Sequence, residues 1–328
     1  MIDVVEVGSA EPDGWDAYLR RHDGALVYAS SAFRALLCEL LGCVDRSLAA
    51  VEAGEIRGAF PLLELDGVLN SLPWYGSNGG VLAGAPAAAE ALLAAYDDLA
   101  TGAAAATVVE NPFAPARYER LARTHSDERV AQWTDLPAAR IEPSAHRNVR
   151  KARRSGIVVE RDAAELPRLH ELHEENIAGI GGRPKPWRFF ELVPRHLAEG
   201  DGFELWVARH DGRTIAVLLT LLFNRTVEYY TPAIEHDARP LQPLATILDA
   251  ALTDAAARGF TRWNWGGTWY SQPGVRRFKR KWGAREASYA YHVRVNDEAL
   301  LDATPDELLE RFPGFYVVPF AALREPVR

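Results

Sequence analysis

The sequence predicts an α/β (α+β) protein built as two duplicated halves, each a mixed, largely antiparallel sheet flanked by helices, with a cleft between them. Three observations carry this. Two apolar meanders, at 47–70 and 203–231, match at one constant separation, so that Ile56 falls on Ile215, Leu62 and Leu63 on Leu221 and Leu222, and Pro73 on Pro232. Each meander then continues as helix, short strand and loop. Finally, 328 residues at 48% hydrophobic suffice for two ordinary domains or one unusually large one. Chance similarity between two amphipathic hairpins is the competing explanation.

In chain order, 2–7 reads as a strand, and Pro12 and Asp13 open a helix carrying Trp15, Tyr18 and Leu19. Ser30 or Ser31 caps a second helix through Leu41. Strands follow at 47–51 and 56–65 across a turn at Gly54, and a third follows Asp66-Gly67, a two-residue hairpin signal. The alanine-rich run 85–106 reads as helix filler, and 107–110 as a short strand ending in Asn111-Pro112. A helix is expected at 115–123 and a strand at 129–133. Pro137 and Pro143 mark the joint, giving domains 1–140 and 141–328. In the second half Ser144 caps a basic helix ended by Gly156, a strand follows at 157–161, and two helices fill 163–198. Strands at 203–208, 215–223 and 227–231 precede a helix at 243–258.

The last stretch, GFTRWNWGGTWYSQPGVRRFKRKWGAR at 259–285, is the most informative. Trp263 and Trp265 alternate at strand spacing, and Gly266 and Gly267 let the backbone turn. A short helix at 274–282 places Val275, Phe278 and Trp282 on one face. Arg276, Arg277, Lys279, Arg280 and Lys281 surround that face.

Composition narrows the partners. A net charge of −8 argues against a nucleic-acid coat protein or duplex-DNA binder, so any anion site must be local. Two cysteines, Cys38 and Cys43, support neither a disulfide framework nor a cysteine zinc site. The N-terminus lacks a signal-peptide pattern and no apolar run has spanning length, so a cytoplasmic protein is expected. No GxSxG, Walker or GxGxxG pattern occurs, which removes the simplest hydrolase, NTPase and Rossmann readings.

Several residues stand out as site candidates. Arg147, Arg150, Lys151 and Arg154 share a helix face with no acid among them, which suits a phosphate-bearing ligand: a nucleotide, coenzyme A or a tRNA acceptor end. An exposed basic face screened by salt is the alternative. Lys279 could offer charge to an oxyanion formed in acyl transfer, or could be a snorkelling surface lysine. Glu110 and Asn111 at a strand end, with Trp74, Tyr75, Tyr230, Trp269 and Tyr270, are cleft candidates; Trp187 would also suit stacking on a ligand. His170 and His173 fit no metal-binding spacing, and no metal is expected.

Four segments in order, RNVRKARRSGIVVE, YYTPA, AARGF and GVRRFKRKWGA, resemble the FemAB-like branch of the GNAT-fold acyltransferases, loosely before Pro143 and more specifically after it. The resemblance implies two tandem GNAT-like domains, amide-bond formation, and a role for a Phe-Lys pair, here Phe278 and Lys279, in stabilising the transfer intermediate. The Asp-Pro strand end of many members is replaced by Glu110-Asn111-Pro112, and the inserted coiled-coil arm of the bridge-forming enzymes is absent. The place of the coenzyme A loop, HDARPLQPLA, keeps Arg239 but has no glycine to cradle a pyrophosphate.

The expected activity is therefore transfer of an aminoacyl group from aminoacyl-tRNA to the amine of a small-molecule, amino-sugar or peptide acceptor, with no tightly bound cofactor. Lys279 stabilises the oxyanion, while the cations of the 144–155 helix, with Arg276 and Arg280, hold phosphate. An acyl-CoA-dependent N-acyltransferase and a non-catalytic ligand-binding module on the same fold are the alternatives.

Overall fold

The computed structural model describes residues 2–7, 14–71, 74, 76–114, 116–138 and 140–324. The chain forms two compact units, Met1–Ala131 with Ala287–Arg328, and Gln132–Glu286. This differs from a division at residue 140, because the chain from Ala287 onward returns to the first unit. The cause is a strand unforeseen in the run REASYAYHVRV: its residues Tyr291–Val295 pair antiparallel with Val109–Ala105.

The first unit contains β1 (Asp3–Glu6), α1 (Trp15–Arg21), α2 (Ser31–Leu41), β2 (Val44–Asp45), β3 (Leu48–Glu52), β4 (Glu55–Phe60), β5 (Leu63–Leu65), β6 (Val68–Asn70), β7 (Leu82–Ala83), α3 (Pro86–Gly102) and β8 (Ala105–Val109). The chain leaves this unit within β9 (His125–Asp135). Ser30 caps α2 by accepting from Phe33 N at 3.2 Å, and Gly42, at φ 68°, ends it in the left-handed conformation. The expected strand 56–65 breaks at Pro61, which has no N–H to continue a ladder. Asp66 and Gly67 both have positive φ, as a type I′ hairpin turn requires, and join β5 to β6. Gly58 on β4 lets α3 lie close on the sheet: a Cβ there would meet Leu92 Cδ1 at 2.8 Å. Where a helix was expected at 115–123, the described residues form one 3-10 turn, Tyr118–Arg120.

The second unit contains α4 (Pro143–Arg154), β10 (Val158–Arg161), α5 (Leu166–Ala178), α6 (Trp187–His196), β11 (Phe203–His210), β12 (Arg213–Phe223), β13 (Thr226–Ile234), α7 (Pro243–Ala257), β14 (Arg262–Thr268) and α8 (Pro273–Lys281). The chain then re-enters the first unit along β15 (Arg285–Val295) and ends with α9 (Pro305–Arg311). Strands β10 to β13 form consecutive antiparallel pairs, whereas β14 joins β13 in parallel after the α7 crossover. The first unit repeats this plan, with β8 parallel to β6 after the α3 crossover. Trp263, Trp265 and Trp282 pack with Leu218, Leu222, Ile247 and Leu248 into the core under α4 and α7.

One local feature positions the chemistry. The parallel ladder covers Thr226–Glu228 against Arg262–Asn264 only, although both strands continue. Beyond that point β13 and β14 are no longer paired.

Candidate active site

At the end of β14 the backbone does not turn at Gly266-Gly267 as expected; the strand runs on to Thr268, with Gly266 at φ 72°. Two aromatic residues, Trp269 and Tyr270, follow in an exposed loop, and Pro273 starts α8. Phe278 turns an edge to Trp265 and Trp282 is buried, but Val275 is exposed instead of sharing their face.

Lys279 also points inward. Its side chain is 5% exposed, and Nζ donates to Thr268 Oγ1 at 2.6 Å and to the carbonyls of Gly266 and Gly267 at 3.3 Å. Burial lowers its pKa to about 8 despite the opposing charge of Glu286. A snorkelling surface lysine is thereby ruled out. The amine is predominantly an ammonium at neutral pH, and the short bond to Thr268 is charge-assisted.

Arg276 and Arg280, expected at the donor phosphate, are committed elsewhere. Arg276 Nη2 reaches Glu286 Oε2 at 2.9 Å, and Arg280 Nε reaches Glu286 Oε1 at 2.9 Å. These pairs hold the Glu286 carboxyl below its usual pKa, although burial opposes the shift. The sequence shows five cations here but not the carboxylate from the following strand that pairs with two of them.

The helix α4 matches expectation more closely. Glu142, not Ser144, is the N-cap residue and supplies no side-chain cap; Pro143 takes the first helical position and Ser144 donates to the Glu142 carboxylate. Ala145, Val149 and Ala152 are buried, leaving Arg147, Arg150, Lys151 and Arg154 exposed. Among the described residues none of these four has an acidic partner, whereas Arg153 pairs with Asp249 at 2.6 Å. An unneutralised cationic face is what an anionic ligand requires.

The other candidates separate. Tyr75 lies outside the described residues, while Trp74 is buried at φ 61° with its N–H bonded to Gly314 O, a core residue of the first unit. Asn111 is structural, donating to Gly24 O and accepting from Phe113 N. Glu110 accepts from His292 Nε2 at 2.8 Å and from Ala290 N at 2.9 Å. Burial raises its pKa, but those bonds and the imidazole charge outweigh it and leave the carboxyl below its usual value. A group depressed this way stabilises the fold above its unfolded pKa and loses that contribution as pH falls through the folded pKa. Glu110→Gln is therefore expected to lower stability by about 1 kcal/mol at pH 7 and to flatten the acid limb of a Tm-versus-pH curve. An unchanged acid limb would count against the assignment.

Tyr230 is half-buried beneath a lysine that the sequence does not single out. Lys185 Nζ sits 5.0 Å from the Tyr230 ring centroid, and burial lowers its pKa to about 8. The Lys185 N–H donates to His173 Nε2 at 3.0 Å, so His173 is a buried neutral imidazole with its pKa lowered to about 4, chiefly by desolvation. His170 packs against Trp187 and Phe190. Among the described residues no cluster of His, Cys, Asp or Glu could hold a metal ion. Glu228 also went unnoticed in sequence. It is buried at the last rung of the parallel ladder, accepts from Asn264 Nδ2 at 3.1 Å, and alternates away from the face of Val227 and Trp263.

Residues 143–280 match the family described as Acetyltransferase (GNAT) domain. Among solved structures, FemX is similar with a TM-score of 0.70 at 17% identity, covering 91% of this chain and 98% of that one. The C-terminal domain of a putative lysylphosphatidylglycerol synthetase from Agrobacterium fabrum has a TM-score of 0.58 at 14% identity, covering 92% of this chain and 100% of that one. A tandem GNAT protein from the clavulanic acid biosynthesis pathway has a TM-score of 0.53 at 11% identity, covering 89% of this chain and 98% of that one. No curated protein gives a significant match. Among the described residues no helix is long and apolar enough to cross a membrane. Domain match and fold agree: residues 143–280 match a GNAT acetyltransferase domain, and the chain has the fold seen in FemX and in the tandem GNAT protein.

Proposed function

We propose that this acyltransferase moves an aminoacyl group from aminoacyl-tRNA to the amine of a small-molecule, amino-sugar or peptide acceptor, forming an amide. The buried Lys279 ammonium at the end of β14 is the observation that carries the reading. A neutral amine attacks the ester carbonyl, and the oxygen that gains negative charge takes N–H donors from Lys279 in place of the long bonds to Gly266 and Gly267. Glu228, beside the parting strands, accepts the proton that the attacking nitrogen loses. The C–N bond forms, the C–O bond to the ribose breaks, and the departing oxygen takes the proton that Glu228 received, leaving as the tRNA hydroxyl. Arg147, Arg150, Lys151 and Arg154 hold phosphates of the donor.

Backbone chemistry at the start of α7 supports a tRNA donor over coenzyme A. Pro240 and Pro243 have no N–H, and those of Ala238, Gln242 and Ala245 are bonded to Glu235, Arg239 and Gln242. Few donors are left there to cradle a pyrophosphate. The acyl-CoA reading rests on the acetyltransferase description matched at 143–280. Mass spectrometry of candidate amines incubated with the enzyme and either charged tRNA or an acyl-CoA mixture decides between them; product from acyl-CoA alone would overturn the tRNA reading. With tRNA as donor, substituting Arg147, Arg150 and Arg154 together by Ala is expected to weaken binding and reduce the slope of log K against log salt by roughly 2–3. A slope unchanged by that substitution would remove α4 from the donor site.

A further inference from the structure

Thr268, Gln132 and Glu286 stand in an unbroken hydrogen-bonded line that ends on Lys279. The direction of every bond follows from the chemistry of its ends. Glu286, with its pKa depressed, is an anion and accepts only, as does the carbonyl of Arg276. Both face the Gln132 amide, at 2.8 and 3.2 Å, so Gln132 must present Nε2 to them. Its Oε1 is thereby turned toward Thr268, 2.9 Å away. The single hydroxyl proton of Thr268 goes to that oxygen, leaving a lone pair aimed at Lys279 Nζ 2.6 Å away. Every partner around Nζ therefore accepts, which is the environment of an ammonium. Gln132 and Thr268 are fully shielded, with 0% and 2% of their surface exposed, so the line is protected from competing water.

We infer that Glu286, Gln132 and Thr268 form a positioning relay that fixes one N–H of the Lys279 ammonium and so aims the other two at the oxyanion. The inference rests on the catalytic reading of Lys279 given above. One bond at 2.6 Å is tight, while the two at 3.3 Å are loose and open to exchange for a developing negative charge. Arg276 and Arg280 act one step further out, by clamping Glu286 from both sides. Two cations expected to touch phosphate thus serve the lysine instead.

The chain has only four lysines, Lys151, Lys185, Lys279 and Lys281, so protein labelled with 15N-lysine yields a side-chain spectrum of four Nζ resonances. Lys279 is assigned by its loss in Lys279→Arg. In Thr268→Val the Lys279 Nζ titration is expected to move to lower pH, since an acceptor that favours the ammonium is lost. Turnover should fall by about 10–100-fold, with KM for both substrates within about twofold. Gln132→Ala should act the same way, and Thr268→Ser should restore both readouts. If Thr268→Val and Gln132→Ala leave the Nζ titration and turnover at wild-type values, the relay is wrong, whatever Lys279 does. If they shift the Nζ titration while Lys279→Ala itself stays fully active, the relay stands and the catalytic reading falls. Should Thr268→Val fail to fold, Glu286→Gln reports on the same line from its far end, through the same resonance.

Discussion

Lys279→Ala is expected to lower kcat by about 100–1,000-fold with little change in substrate affinity, the scale of removing one donor from an oxyanion site. The reason is differential. In the ground state the ammonium is satisfied by Thr268 and two carbonyls, so it binds substrate weakly. Only when negative charge develops on the carbonyl oxygen do its loose N–H groups find a stronger acceptor. The same group sets an alkaline limit. Desolvation lowers the Lys279 pKa to about 8, so the ammonium is present below that pH and is lost above it. Turnover should therefore fall as pH rises through about 8, even as more of the acceptor amine becomes neutral. Lys279→Arg, permanently charged, should show a reduced rate without that alkaline fall. Steady-state pH profiles of the two variants check this, and an alkaline limb retained in Lys279→Arg would move the titration to another group, Lys185 being the foremost because its pKa is also lowered to about 8.

How much of this was legible in the sequence depends on the range of the signal. Local patterns carried well. The Asp66-Gly67 turn, the Ser30 cap, the two-residue alternation of Trp263 and Trp265 and the uncompensated face of α4 depend on neighbours within a few residues, and the structure contains all of them. The repeat was visible because both halves place a crossover helix before a strand added in parallel. Partners distant in sequence were not legible. Gln132 meets Thr268 across more than a hundred residues, and Glu110 finds His292 at a still longer range, so neither pair leaves a spacing to read. Arg276 and Arg280 looked like free cations because Glu286 lies past the end of the helix, on a strand whose polar and aromatic mixture hides its pairing. A single signal was available for Glu228. It sits between Val227 and Tyr229 in a strand otherwise rich in apolar residues, and a lone carboxylate there is rarely left without a task.

Trp263→Ala is expected to cost about 3–5 kcal/mol of stability, the range for emptying a fully buried aromatic site, read as a lower denaturation midpoint at unchanged m-value. Trp263 has 0% exposure and packs an edge against Trp265, with ring centroids 5.8 Å apart. Phenylalanine separates volume from polarity at this site. The Trp263 indole N–H is buried without a hydrogen-bond partner among the described residues, so Trp263→Phe removes an unsatisfied donor while leaving most of the ring contact. The two effects oppose one another, and the net change should stay within about 1 kcal/mol. Trp265 has the opposite balance. Its Nε1 donates to Thr134 Oγ1 at 2.9 Å, so Trp265→Phe loses volume and a satisfied buried bond together, for about 1–3 kcal/mol. Trp265→Phe should then be the more damaging of the two phenylalanine variants, although Trp265 is slightly more exposed, at 3%. Equal costs, or the reverse order, would mean that packing volume alone sets the energetics of this core. The distinction bears on catalysis, because these two indoles seat the strand whose end supplies Gly266, Gly267 and Thr268 to the Lys279 ammonium. A variant that loosens β14 without unfolding the protein should lose turnover before it loses donor affinity, since the exposed cations of α4 take no part in the bonds around Lys279.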